Sequence, residues 1–124
     1  MESLQWDSTE TPPELHSILK TLGEEYPILC TPADTGLSLT FCRNDQPGPL
    51  TVSRDRNTAV IEYSTPNQAA RAVGTLLSGI TEDKKQITEQ AGFRTTGIML
   101  DCSRNAVMTV AHFKKWLRRL CLLG

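Results

Sequence analysis

The feature that most constrains this chain is a change of hydrophobic period along it. Leu37, Leu39 and Phe41 alternate with Ser38 and Thr40, the spacing of a strand with one buried face. Leu50 and Val52 alternate with Thr51 and Ser53, and a short polar turn, Asp55-Arg56-Asn57, leads into TAVIEYS over residues 58–64. On either side of this block the apolar spacing becomes three and four. Leu15, Ile18, Leu19 and Leu22 form one stripe after Thr11-Pro12-Pro13-Glu14; Ala69, Ala70, Val73, Leu76, Leu77 and Ile80 form another after Thr65-Pro66-Asn67-Gln68. Both starts offer a threonine cap, a proline where a missing N–H does no harm, and a Glu or Gln to reach back. Gly23 and Gly79 are natural stops. A first helix is predicted over residues 12–24 and a second from Pro66.

Three strands joined by short loops are most economically antiparallel neighbours. KKQITEQ, residues 84–90, adds an edge strand whose lysines discourage unwanted pairing. Residues 1–92 are therefore expected to form an α+β domain, an antiparallel sheet with helices packed on one face.

At 124 residues the chain is long enough for one ordinary domain. Its formal net charge of −1 gives no electrostatic reason to expect a nucleic acid or a membrane as partner. MESLQWDSTE lacks the charged-then-apolar pattern of an export signal, and the expectation is a cytoplasmic protein. Cys30, Cys42, Cys102 and Cys121 fit no zinc spacing and read as reduced, packed thiols. His16 and His112 have no second ligand at helical spacing, so neither a metal nor another cofactor is expected. Glu24-Glu25 is a carboxylate pair only on paper, because adjacent helix positions do not face one another.

Beyond residue 92 the pattern changes. Ile98, Met99 and Leu100 are consecutive, so a strand here would meet apolar surroundings on both faces, as in parallel sheets and barrels. A helix capped by Thr109 follows, with Phe113, Trp116, Leu117, Leu120 and Leu123 as its apolar face. Asp101-Cys102-Ser103-Arg104-Asn105 lies between, at the carboxyl end of the strand, where β/α barrels place their chemistry.

The run Gly97-Ile98-Met99-Leu100-Asp101-Cys102-Ser103-Arg104-Asn105 resembles the first barrel strand of family 20 glycoside hydrolases, the β-N-acetylhexosaminidases. Upstream, Tyr63-Ser64-Thr65-Pro66-Asn67-Gln68-Ala69-Ala70-Arg71-Ala72 is similar to the second helix of the α+β domain that precedes that barrel. The resemblance covers about residues 58–124. It implies a (β/α)8 catalytic domain that removes terminal N-acetylhexosamines, the substrate's own acetamido oxygen serving as nucleophile. An adjacent Asp–Glu pair then carries the work, the Asp orienting the acetamido group and the Glu acting as acid and base. That pair belongs after the fourth barrel strand, and no Asp-Glu dipeptide occurs in this sequence. The resemblance thus makes residues 93–124 the first strand and helix of an incomplete barrel, and the chain itself a non-catalytic scaffold.

For the enzyme so implied, the partner is a glycan bearing N-acetylhexosamine, with Arg94, Asp101 and Arg104 as candidate sugar contacts. Family members often place an Arg immediately before the strand's glycine. Here Thr96 holds that position and Arg94 lies two residues earlier, on the same strand face but displaced by about 6.5 Å. Asp101 and Arg104 have an equal alternative, an ion pair that ties down the first barrel loop. Lys114, Lys115, Arg118 and Arg119 make the last helix basic and amphipathic, which suits either an ordinary barrel helix or a partner-binding one. The exposed face of this strand and helix is expected to drive self-association. The competing reading is a stand-alone, non-catalytic domain that binds a protein partner through the apolar surface of residues 97–123.

Overall fold

A computed structural model describes residues 2–30, 36–103 and 107–124. The elements run β1 (Leu4–Gln5), α1 (Pro13–Gly23), β2 (Ile28–Leu29), β3 (Leu37–Arg43), β4 (Leu50–Arg54), β5 (Thr58–Tyr63), α2 (Pro66–Leu77), β6 (Gln86–Glu89) and α3 (Val110–Leu123). The architecture is α+β, built on one six-stranded sheet of order β2-β1-β3-β5-β4-β6.

The sheet is mixed, which corrects the antiparallel arrangement expected above. β4 pairs antiparallel with both β5 and β6, but β3 pairs parallel with β5, and β1 pairs parallel with β2 and β3. The cause is the connection over residues 44–49. It does not turn β4 back beside β3 but crosses the end of β5, which then fills the gap. Asn44 N–H donates to the Tyr63 carbonyl at 2.7 Å, and Gly48 is held from both sides. Its N–H reaches Ser64 Oγ at 3.3 Å and its carbonyl accepts from Gln68 Nε2 at 2.9 Å. Six residues containing Pro47, Gly48 and Pro49 span two inter-strand spacings of about 4.8 Å with ease.

The alternation predicted for the strands sorts their side chains as expected. Leu37, Leu39, Phe41, Ala59, Ile61 and Tyr63 are buried, and the intervening residues of β3 and β5 face solvent. Phe41 meets the Tyr63 ring edge-on, centroids 6.3 Å apart at 84°, a favoured aromatic geometry. α1 and α2 cover the buried face. Leu15, Leu19 and Leu22 of α1 are nearly inaccessible, each burial worth roughly 1.5–3 kcal/mol. Ala69, Ala70 and Ala72 let α2 approach β4 and β5 closely.

The two helix starts differ. Thr65 caps α2 by accepting from Gln68 N–H, while Gln68 Oε1 reaches back to the Ser64 N–H at 2.7 Å rather than to Thr65 itself. Thr11 makes no side-chain cap; Pro12 precedes α1, and the buried Thr11 instead offers its carbonyl to His16 Nε2 at 2.9 Å. His16 also lies against the buried Trp6 ring. Gly23 ends α1 where predicted, and for a steric reason: a Cβ there would stand 2.6 Å from the Ile28 carbonyl oxygen. β6 is the edge strand foreseen at residues 84–90.

The strand expected at residues 97–101 is not formed. Residues 90–103 have no regular structure, and Met99 is 97% exposed. A strand apolar on both faces needs neighbours to pair with, and none lies beside it among the described residues. The helix after it does form, capped by Thr109 as predicted. No described helix is long and apolar enough to cross a membrane.

Candidate functional site

α3 is two-sided. One side rests on the helical layer. The Leu122 backbone lies on Gly74 of α2 so closely that any Cβ at position 74 would overlap the Leu122 carbonyl, and Leu122 is the buried residue of α3. Next to this contact, Arg118 reaches the C-terminal end of α1. Its Nε donates to the Thr21 carbonyl at 3.2 Å, its Nη2 bonds Glu24, and its Nη1 lies 3.9 Å from Glu25. A guanidinium on the last carbonyls of a helix also meets the negative end of the helix dipole. Glu24 and Glu25, a pair only on paper in sequence, thus share one cation from another element. Nothing local in sequence marks this contact, since the partners are 94 residues apart.

The other side of α3 faces away from the sheet. Phe113, Leu117 and Leu120 line a groove of about 670 Å³ together with Ile98, Leu100 and Asp101. Phe113 is 42% and Leu117 49% exposed. Of the predicted apolar face, Phe113, Leu117 and Leu120 thus share a groove with residues 97–102, and the docking side is the one carrying Arg118 and Leu122.

The candidate sugar contacts are divided. Asp101 lines the α3 groove, and its Oδ1 accepts from Ser103 N–H at 2.8 Å. Hydrogen bonding from the Ser103 side chain, and after it from this N–H, holds its carboxyl below the usual aspartate range. Arg94 lines a different cavity, so the structure does not bring these two together. Arg104, and with it the proposed Asp101–Arg104 ion pair, lies outside the described residues.

The cavity holding Arg94 is an open cleft of about 1090 Å³ between the first turns of α2, the strand β6 and residues 90–96. Sequence reasoning did not find it. Its fixed centre is a forked ion pair: Arg71 Nε donates to Glu89 Oε2 at 2.9 Å and Nη2 to Oε1 at 3.1 Å. Both partners are about one-third exposed.

A third polar cluster joins α1 to the sheet. Arg43 Nη1 and the Tyr63 hydroxyl both donate to Glu14 Oε1, at 3.0 and 3.2 Å. Burial, and after it the Glu14 charge, pushes the Tyr63 phenol up to about 12.

Among the described residues no group of His, Cys, Asp and Glu is arranged to hold a metal ion. The cysteines are unbridged; Cys30, Cys42 and Cys102 are exposed rather than packed, and only Cys121 is half-buried. Comparison with protein-family models and with curated proteins found no match.

Proposed function

We propose that this chain is the amino-terminal, non-catalytic part of an exo-acting β-N-acetylhexosaminidase of the family 20 glycoside hydrolase type. In this reading residues 1–92 are the accessory α+β domain and residues 93–124 the opening β/α unit of a catalytic barrel. The observation that supports it is the two-sidedness of α3. In a β/α unit the helix returns to pack its apolar stripe against its own strand, while its outer side is free to dock elsewhere. Here the stripe of Phe113, Leu117 and Leu120 shares a groove with Ile98 and Leu100, and the outer side docks on α1 and α2.

On this reading the unpaired run Ile98-Met99-Leu100 is a barrel strand awaiting its neighbours. Asp101 then stands at the carboxyl end of that run, its carboxyl held below the usual range by hydrogen bonds from Ser103 and suited to accept hydrogen bonds from sugar hydroxyls. Arg104 beside it is the second candidate by resemblance. Arg94 lines the other cleft and is not proposed for the same sugar. The hydrolysis itself would be substrate-assisted and would need the Asp–Glu pair that this sequence does not contain.

The exposed groove favours a second reading, a non-catalytic domain that binds a protein partner along residues 97–123. The coding sequence past the Gly124 codon separates the two. Further strand–helix alternation with an Asp-Glu dipeptide, and release of p-nitrophenol from an aryl N-acetyl-β-glucosaminide by the longer polypeptide, is the outcome expected. A stop codon directly after Gly124 overturns the glycosidase reading in favour of the second.

A further inference from the structure

We propose that the open cleft between α2, β6 and residues 90–96 is a binding site for a neutral oligosaccharide. It is separate from the α3 groove, and the inference stands on the cleft's own chemistry, independent of the glycosidase reading.

The argument begins with charge. Among the described residues the cleft's charged side chains are Arg71 and Arg94 against Asp45 and Glu89, which sum to zero. An anionic or cationic ligand would find no net field to draw it in. The polar groups are also pre-set. The Arg71–Glu89 fork fixes a planar donor beside a planar acceptor. The guanidinium has five N–H groups and the carboxylate about four lone-pair sites, so the two bonds between them leave donors and acceptors over, side by side. Vicinal hydroxyls, each both donor and acceptor, match such a pair; a purely donating or accepting ligand does not.

One lining side chain of the cleft is fixed by hydrogen bonds. Gln68 is held at both ends, its Nε2 on the Gly48 carbonyl and its Oε1 under the Ser64 N–H. Asn67, one residue before it, is exposed, and its side-chain amide has no hydrogen-bond partner among the described residues, leaving a planar amide free for a ligand.

Phe93 completes the set. It lines the same cleft and is 83% exposed. A phenyl ring on that wall offers a flat apolar surface beside directional polar groups. That is the combination a pyranose requires, having a C–H face and a rim of hydroxyls. The volume of about 1090 Å³ admits more than one ring.

The test is amide NMR titration of the full chain, labelled with ¹⁵N, using triacetylchitotriose and maltotriose as probes and inorganic phosphate as the ionic control. The expected result is saturable movement of the Asn67, Gly92 and Phe93 amides with at least one trisaccharide and none with phosphate. Phe93→Ala and Asn67→Ala, both at exposed positions, should each weaken binding by about tenfold while leaving amides remote from the cleft unchanged. No saturable shift at these amides with either sugar, equal affinity in Phe93→Ala, or a response to phosphate stronger than to sugar would each overturn the proposal. Sugar binding here without any hydrolysis would support the site whether or not the glycosidase reading survives.

Discussion

The carbonyl of Leu122 lies over Gly74, where a hydrogen is the only substituent the space allows. This contact sets the position of α3 on α2, and it reverses an ordinary expectation. A glycine inside a helix normally costs about 1 kcal/mol relative to alanine. Gly74→Ala should nevertheless weaken the protein, because the added methyl must displace α3 and forfeit its docking, an overpacking cost of about 1–3 kcal/mol. Limited proteolysis checks this, with faster cleavage between residues 90 and 109 expected in the variant. A raised Tm with unchanged cleavage would mean that helix propensity outweighs the contact.

Arg118 provides the second anchor of α3, and its side chain is only 17% exposed. Arg118→Ala combined with Glu24→Gln or Glu25→Gln in double-mutant cycles should give coupling of about 0.5–1 kcal/mol with each carboxylate, smaller at high salt. Arg118→Lys should not restore stability, because a single ammonium cannot serve Thr21 and both glutamates at once. Chemical denaturation of the variant set measures all of these terms.

The cluster of Glu14, Arg43 and Tyr63 predicts a pH dependence of definite sign. The folded-state phenol is raised from 10.0 to about 12, first by burial and then by Glu14. Folding therefore favours the protonated phenol. That contribution is complete below pH 10 and disappears as pH rises towards 12. Urea unfolding of the native protein and Tyr63→Phe across this window should show the gap between them closing with rising pH. Glu14→Gln removes the neighbouring charge and should lower the Tyr63 transition in an absorbance titration.

Much of this fold is legible in the sequence, and the illegible parts have physical causes. The strands β3, β4 and β5 declare themselves by alternation over five to seven residues, and α1 and α2 by their stripes and prolines. β1 and β2 are two residues each, too short to carry a period, although the buried Trp6 beside β1 belongs to the core. The parallel pairing of β3 with β5 depends on which way the 44–49 loop crosses, which no local pattern encodes. The site divides in the same way. The apolar stripe of α3 and the run 98–100 are visible in sequence, but their direction is not. It is set by Gly74 and Arg118, a glycine and an arginine whose partners lie far along the chain.

The central claim is that residues 97–100 and α3 present an open apolar face. Sedimentation velocity over a range of concentrations tests it most directly. Met99 and Leu117 are 97% and 49% exposed, so Met99→Glu with Leu117→Glu should leave the rest of the fold intact. The native chain should show a weight-average mass that climbs above 13.7 kDa as concentration rises, and the double variant should remain at that mass throughout. A native chain that stays monomeric at every concentration would contradict the account.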